Sequence, residues 1–334
     1  MPEFRQNRAT KEWIIIASER AKRPKEFIES RSKQKSLPSF DPDCPFCAGN
    51  EDKTPVEIFS LKKGTRKKWQ VRVIPNKYPA LIPEGELLMQ TEGFFLQAEG
   101  TGYHEVIIHT PGHNKSLANM SLSQVEKVCF TYRQRYLDLK KDKRIKMIII
   151  FENHGERAGT SLVHSHSQLV ALPLVPASIR HLLEEAMRYY DDHGSCVFCD
   201  MIKEELKAKK RIIHKTDDFV AFHPFASRAP FETWILPLKH NASFGSIKVK
   251  DCKDMAQILK AILEQLDKSL FDPAYNLLIR TAPLKDMEED YYHWHIQILP
   301  RLTTPAGFEL GSGIYINTTF PERTAKFLRT KETR

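Results

Sequence analysis

The chain carries one pattern of chemistry-bearing residues twice, and this repetition limits its possible folds more than any other feature. Cys44-Pro-Phe-Cys47 opens the first copy and Cys196-Val-Phe-Cys199 the second. His104-Glu105-Val-Ile-Ile, running on to Pro111-Gly-His113-Asn114-Lys-Ser116, is matched by Phe231-Glu232-Thr-Trp-Ile, running on to Leu238-Lys-His240-Asn241-Ala-Ser243, at a constant offset of 127 residues. His164-Ser-His166-Ser-Gln168 then returns as His293-Trp-His295-Ile-Gln297 at an offset of 129. A period of this length is too long for a solenoid and covers most of a domain.

Between these landmarks each copy holds a helix. Ser123-Gln-Val-Glu126 reads as a capping box, followed at helical spacing by Val125, Val128, Cys129, Tyr132 and Tyr136. The second copy answers with Met255, Ile258, Leu259, Ile262, Leu263 and Leu266. Lys146 to Phe151 and Tyr275 to Ile279 read as strands. Pro173 to Pro176 leads into a helix from about Ala177 to Tyr190 closed by Gly194, which places the junction between units 1–178 and 179–334. Lys22 to Lys35 and the stretch after Pro305 read as arms packed on the repeats.

Of the six cysteines, four form the two Cys-x-x-Cys pairs. Two residues between thiolates let one tight turn aim both sulfurs at a tetrahedral ion, so each pair supplies half of a zinc site. A redox dithiol is the rival, disfavoured because there are two pairs and neither has a predicted strand and helix directly around it. Cys129 and Cys252 fall inside predicted helices and read as core. The 51 Lys and Arg against 42 Asp and Glu leave a formal charge of +9, in short runs read as solvated faces that also suit a phosphorylated substrate. No apolar run is long enough to span a membrane, and the first residues lack the layout of a signal peptide, so a cytoplasmic protein is expected. A zinc-ribbon protein binding nucleic acid would explain charge and cysteines, but it leaves the histidine strand idle, and no nucleic-acid partner is expected.

On a strand His164, His166 and Gln168 project together. The preceding loop, Asn153 to Ser161, has two glycines but no Walker ending, which disfavours kinase and ATPase chemistry. Its amides at Gly159 to Ser161 can hold phosphate oxygens beside His166, whose neutral imidazole would attack phosphorus to give a covalent phosphoramidate.

Phe151-Glu-Asn153-x-Gly155, Gly159-x-Ser161 and His164-x-His166-x-Gln168 resemble the signature of galactose-1-phosphate uridylyltransferases, a branch of the histidine triad superfamily. Arg20-Ala-Lys-Arg23-Pro24, Asp41 to Asn50, Asn76 before Tyr-Pro-Ala-Leu81, and Pro111-Gly-His113 extend the resemblance over nearly the whole chain. It implies an α+β fold of two tandem histidine-triad-like repeats forming one antiparallel sheet flanked by helices, in a homodimer whose sites borrow residues from both chains. It makes His166 the nucleotidylated nucleophile, with Gln168, Ser161, Asn153 and Gly159 at the phosphates and Arg20, Arg23, Phe46 and Asn76 around the nucleotide. It assigns Cys44, Cys47, His113 and His164 to one zinc. Carried across the repeat, the same set becomes Cys196, Cys199, His240 and His293, with iron the alternative metal there and His295 an alternative ligand to His293. The second His-x-His, flanked by Trp294 and Ile296 with no glycine loop before it, reads as a decayed site kept for metal and dimer structure.

The resemblance implies a nucleotide sugar and a sugar phosphate as partners. The leading expectation is a UDP-glucose:hexose-1-phosphate uridylyltransferase. Ser165, Ser167, Lys77 and the segment Phe308-Glu-Leu-Gly311-Ser-Gly313 depart from the common uridylyltransferase pattern, and His164-Ser-His166-Ser-Gln168 together with the segment from Phe308 to Asn317 looks closer to the branch with ADP-glucose phosphorylase. That branch passes AMP to phosphate, and it is the runner-up.

Overall fold

The computed structural model describes residues 1–20, 37–64 and 68–332. Among them the chain forms β1 (Glu3–Gln6), β2 (Trp13–Ile16), β3 (Phe59–Lys63), β4 (Lys68–Pro75), β5 (Met89–Glu92), β6 (Phe95–Ala98), β7 (Tyr103–Ile108) and helix α1 (Leu122–Leu139). Then follow β8 (Met147–His154), β9 (His166–Leu172), α2 (Ala177–His193), α3 (Val197–Ala208), β10 (Ile212–Lys215), β11 (Phe219–Phe222), β12 (Thr233–Pro237) and α4 (Val249–Leu270). The chain ends through β13 (Tyr275–Arg280), β14 (His295–Pro300), α5 (Gly307–Ser312), β15 (Tyr315–Asn317) and α6 (Pro321–Glu332).

Ten strands make one sheet in the order β10-β11-β12-β14-β13-β8-β9-β7-β4-β3. Every pairing in it is antiparallel, and β8 against β13 joins the two copies, with Asn153 opposite Asn276 and Phe151 opposite Leu278. The fold is thus the expected α+β type with a large antiparallel sheet. Side chains alternate along each strand. On one face they meet α1 and α4, and a single apolar core runs beneath both copies, from Val71, Ile107 and Leu169 to Leu277, Ile296 and Ile298. Val125, Val128, Cys129, Tyr132 and Tyr136 of α1 and Cys252, Ile258, Leu259 and Ile262 of α4 are buried in it. Removing a side chain such as Ile262 from so continuous a core costs about 2–5 kcal/mol.

The cap of α1 corrects the sequence reading. Ser121, not Ser123, is the N-cap: its backbone is extended and its hydroxyl accepts from the Gln124 amide. Gln124 turns its own amide to the Gln70 and His109 carbonyls instead. Gly194 closes α2 as expected, in the left-handed conformation with its N–H on the Tyr190 carbonyl. The stretch after Pro305 is more than an arm. It carries β15, which pairs in parallel with β2 in a three-stranded sheet that ties the two ends of the chain together.

On the opposite face of the large sheet the two copies diverge. Over the second copy α2 and α3 pack on Val220, Phe222, Trp234 and Leu236. Over the first copy a smaller cluster of Cys44, Phe46, Cys47, Trp69, Ile74, Val106 and Ile108 leaves part of the strand surface open.

Candidate functional site

The turn Cys44-Pro-Phe-Cys47 is held by its own backbone bond, Cys47 N–H to the Cys44 carbonyl at 3.3 Å. The Asn50 amide donates to the carbonyls of Asp41, Pro42 and Cys44. Both sulfurs meet His113, on the loop after β7, and His164, just ahead of β9. Cys44 Sγ lies 3.6 Å from His164 Nδ1, and Cys47 Sγ lies 3.5 Å from His113 Nδ1 and 3.7 Å from His164 Nδ1. A tetrahedral ion with Zn–S and Zn–N bonds of ordinary length has sulfur–nitrogen edges of about 3.5 Å, and these separations fit it. His164 donates its other ring N–H to the Thr110 carbonyl at 2.7 Å, which leaves the Nδ1 lone pair facing the sulfurs.

The second cluster repeats the first. Cys199 Sγ is 3.2 Å from His240 Nδ1 and 3.5 Å from His293 Nδ1, and Cys196 completes the group. His293 is the histidine that joins it, while His295 points elsewhere, so the alternative ligand is excluded. The second pair does adjoin a helix, since Cys196 is the N-cap of α3 and Cys199 lies in its first turn, but the element before it is helix α2 and not a strand. All four donor atoms of each cluster lie within 4.8 Å of one another.

His166 opens β9, and its Nδ1 lies 2.8 Å from the His164 carbonyl. A carbonyl only accepts, so Nδ1 carries the hydrogen and Nε2 keeps a free lone pair. Burial holds the ring below the usual histidine value, in the neutral form a nucleophile needs. Phe46 packs edge-on against it with ring centroids 5.2 Å apart. Gln168 shares this face, its Oε1 2.7 Å from His104 Nε2. Asn76 Nδ2 lies 3.1 Å from the same nitrogen. Asn153, on the neighbouring strand, receives Asn276 Nδ2 on its Oδ1 at 2.7 Å.

Gly159 ends a short turn over Glu156–Ala158 in the left-handed conformation, and Ser161 follows it, exposed, on the loop into β9. Gly155 passes so close to Ala274 that a Cβ would come within 2.8 Å of it. That contact fixes the loop against the second copy. Arg20 closes the turn Ser18–Arg20, and Arg23 lies outside the described residues.

The buried side of β9 holds a polar network that sequence reasoning missed. His109, fully buried, bridges Ser165 Oγ at 2.9 Å and Ser167 Oγ at 2.8 Å, and Tyr132 Oη joins Ser167 at 2.5 Å. His104 and Asn276 were also missed. Nothing in their spacing marks them, and in the repeat His104 faces Phe231.

The counterpart of the open face is filled. His295 is buried and stacked on Trp234, ring centroids 4.6 Å apart, with Phe198 at 5.2 Å. Gln297 accepts from Arg280 at 3.1 Å and donates to Glu232 at 2.8 Å.

Comparison with known proteins bears on this arrangement. The family model described as galactose-1-phosphate uridyl transferase, N-terminal domain, matches residues 1–176, and the C-terminal domain model matches 183–309. An ADP-glucose phosphorylase from Arabidopsis thaliana is 37% identical over 98% of this chain and 92% of its own length. A galactose-1-phosphate uridylyltransferase from Thermotoga maritima is 30% identical over 99% of each. The crystal structure of an Arabidopsis thaliana ADP-glucose phosphorylase with bound ADP-glucose superposes with a TM-score of 0.83 at 34% identity, covering 98% of both chains.

Proposed function

The chain belongs to the galactose-1-phosphate uridylyltransferase family, and we propose that within it this nucleotidyltransferase moves AMP from an ADP-sugar to phosphate through a covalent nucleotidyl-His166. The observation that carries the chemistry is the ring of His166, neutral, with Nδ1–H fixed on a carbonyl and Nε2 free. Nε2 attacks the α-phosphorus, the bond from that phosphorus to the bridging oxygen breaks, and the sugar 1-phosphate leaves with the electron pair. An oxygen of the acceptor phosphate then attacks the same phosphorus, and the P–N bond returns its electrons to Nε2. Gln168, Asn153, Ser161 and the Gly159 backbone would hold phosphate oxygens. Phe46, Asn76, Arg20 and Arg23 would hold the nucleoside end.

Adenylyl transfer stands ahead of uridylyl transfer here, reversing the order expected from the motifs. The 37% relative and the departures at Ser165, Ser167 and the Phe308 to Gly313 segment support it. A cavity of about 370 Å³ beside Asn153, lined by Arg228, Asn276, Arg280 and Arg301 among others, gives an anionic acceptor room. Uridylyl transfer from UDP-glucose to a hexose 1-phosphate is the second reading, supported by the 30% relative along its full length. Each metal cluster offers two thiolates and two imidazoles with no open position, a donor set suited to structural zinc, with iron the alternative at the second. The metal would hold the turn and the strand that present Phe46 and His166.

We retain units 1–178 and 179–334, a homodimer, and a cytoplasmic location as parts of the same reading. The apolar tip of the β5–β6 hairpin, where Phe94, Phe95 and Leu96 are exposed, supports a partner copy, and no helix among the described residues is long and apolar enough to cross a membrane.

The test is incubation with ADP-glucose or UDP-glucose followed by intact mass. The expected result is an AMP increment from ADP-glucose, discharged by inorganic phosphate. A UMP increment discharged by galactose 1-phosphate, with none from ADP-glucose, hands the assignment to the second reading, and no adduct from either sugar overturns both.

A further inference from the structure

Two amides of the site are turned by neighbouring side chains, and each direction can be read from partners that have only one role. For Gln168 the chain begins at the Ala80 backbone N–H, which can only donate, 3.1 Å from His104 Nδ1. That nitrogen therefore accepts, and the neutral ring carries its hydrogen on Nε2, 2.7 Å from Gln168 Oε1. Gln168 gives its carbonyl to His104 and keeps its NH2 free. Asn76 Oδ1 accepts from the Tyr78 N–H at 2.9 Å, so its NH2 meets a ring nitrogen already protonated and is likewise unclaimed there.

For Asn153 the chain begins in the second copy. Arg301 Nε only donates, and it bonds Asn276 Oδ1. The Ala158 carbonyl only accepts, and it lies 2.9 Å from Asn276 Nδ2. Both partners fix Asn276 the same way round, so what it offers Asn153 at 2.7 Å is a second N–H. Asn153 meets that donor with its oxygen, and its NH2 is left facing outward.

We propose that His104 and Asn276 are positioning residues that set the amides of Gln168 and Asn153 as hydrogen-bond donors to the phosphoryl oxygens of the group transferred at His166. This rests on the nucleotidyl-transfer reading and deepens it. The two amides flank His166: Gln168 lies two residues along β9, and Asn153 lies one beyond the Glu152–Ser167 register pair. A carboxamide turned the other way would set an oxygen lone pair against an anionic oxygen. Donors held in place before the reaction need no reorganisation as charge builds, and losing one in comparable sites costs about 100-fold or more in rate. Asn276 also pins Ala158, next to Gly159, so a residue of the second copy orients two parts of the phosphate cradle in the first.

The test is single-turnover adduct formation by the full-length, metal-loaded protein, with ADP-glucose and UDP-glucose as probes. Asn276→Asp keeps the shape and the Arg301 partner but can only accept, so Asn153 must turn its NH2 inward. The rate at saturating nucleotide sugar should fall about 100-fold, with half-saturation, thermal midpoint and metal content near wild type. Asn276→Leu should be no slower than Asn276→Asp, whereas a packing role alone predicts the opposite order. His104→Phe should slow the step and His104→Gln, which restores an N–H toward Gln168 Oε1, should recover most of it, and this pair carries the test if Asn276→Asp fails to fold. Wild-type rates in Asn276→Asp, or no recovery in His104→Gln, overturn the positioning role alone. A wild-type protein that forms no adduct overturns the transfer reading and this role with it.

Discussion

His164 to Gln168 and His293 to Gln297 have the same residues in the same order on one face of one sheet, yet their surroundings differ on both sides. In the first copy the open face leaves His166 Nε2 free, and the buried face carries Ser165 and Ser167 bonded to His109 and Tyr132. In the second, Trp234 and Phe198 cover His295. Trp294 and Ile296 take the serine positions and pack into the core, Trp294 against Phe219 and Phe244. One strand is polar on both sides, the other apolar wherever it can be. What makes a histidine a candidate nucleophile here is the open space beside its Nε2, since the motif, and even the approach of Nδ1 to the carbonyl two residues back, recur in the copy where the ring is covered.

The sharpest way to break this comparison is to delete each histidine in turn. His166→Gly should abolish adduct formation while leaving metal content and thermal midpoint near wild type, read by intact mass and melting. His295→Gly should keep the adduct and lose stability instead, because it empties a space between two aromatic rings. An adduct that survives in the His166 variant, or vanishes in the His295 variant with the fold intact, reverses the roles assigned to the two copies.

Removing a sulfur from each cluster should have a smaller but still large effect. Cys44→Ser is expected to lower metal content and impair both folding and adduct formation, because its cluster fixes the turn that carries Phe46 and the strand that carries His166. Cys199→Ser should lower metal content and the melting temperature, with the adduct rate less affected in the folded fraction. Metal analysis beside single-turnover rates checks both, and equal loss of rate in the two variants would erase the distinction.

The sequence carried the repeat, the metal sets and His166 because their spacing is itself the signal: two thiolates three positions apart, and histidines at offsets of 127 and 129, survive reading in one dimension. His104, His109 and Asn276 did not, because each acts through a residue dozens to more than a hundred positions away and looks like an ordinary strand or strand-end residue. The filling of the second site was half legible. Trp294 and Ile296 suggested decay, but Trp234 and Phe198, which cover His295, come from β12 and α3 and are brought there by the sheet order. The helix cap was misread for a local reason: Ser121 and Ser123 both offer a hydroxyl two residues apart, and only the fold shows that the helix already begins at Leu122, with the Ser121 hydroxyl accepting from the Gln124 N–H.

The polar underside of the first copy should show in its response to pH. Glu152 is buried, with Oε2 lacking a partner and Tyr275 Oη 3.4 Å from Oε1, and His154 and Tyr132 interact with its charge. Burial pushes its carboxyl up to about 7, against 4.5 in the unfolded chain. The folded state thus holds a proton that the unfolded state releases. The stability it contributes is complete below about pH 4.5 and is lost as pH rises through 7, a fall of roughly 3 kcal/mol. Glu152→Gln stays neutral and should lack that fall, so urea midpoints measured at pH 5 and pH 8 should differ less in the variant than in wild type. Equal differences would mean that Glu152 is charged in the folded protein. The second copy has Thr281 at the matching offset, whose hydroxyl accepts from the Phe244 N–H, and no such pH response is expected of it.

The smallest effect expected is that of Ser167→Ala. Its hydroxyl lies between His109 Nε2 at 2.8 Å and Tyr132 Oη at 2.5 Å, so removing it leaves two buried polar atoms short of a partner. Those two atoms already lie 3.1 Å apart and can close on each other. The cost should therefore be about 1 kcal/mol, at the low end for a buried hydrogen bond, with adduct formation nearly unchanged because the hydroxyl faces away from His166. Tyr132→Phe made together with Ser167→Ala removes the substitute partner and strands His109 Nε2. Its destabilisation in urea titrations should exceed the sum of the two single changes. If the double variant is merely additive, the network is a set of separate contacts, and the contrast between the copies reduces to their open faces alone.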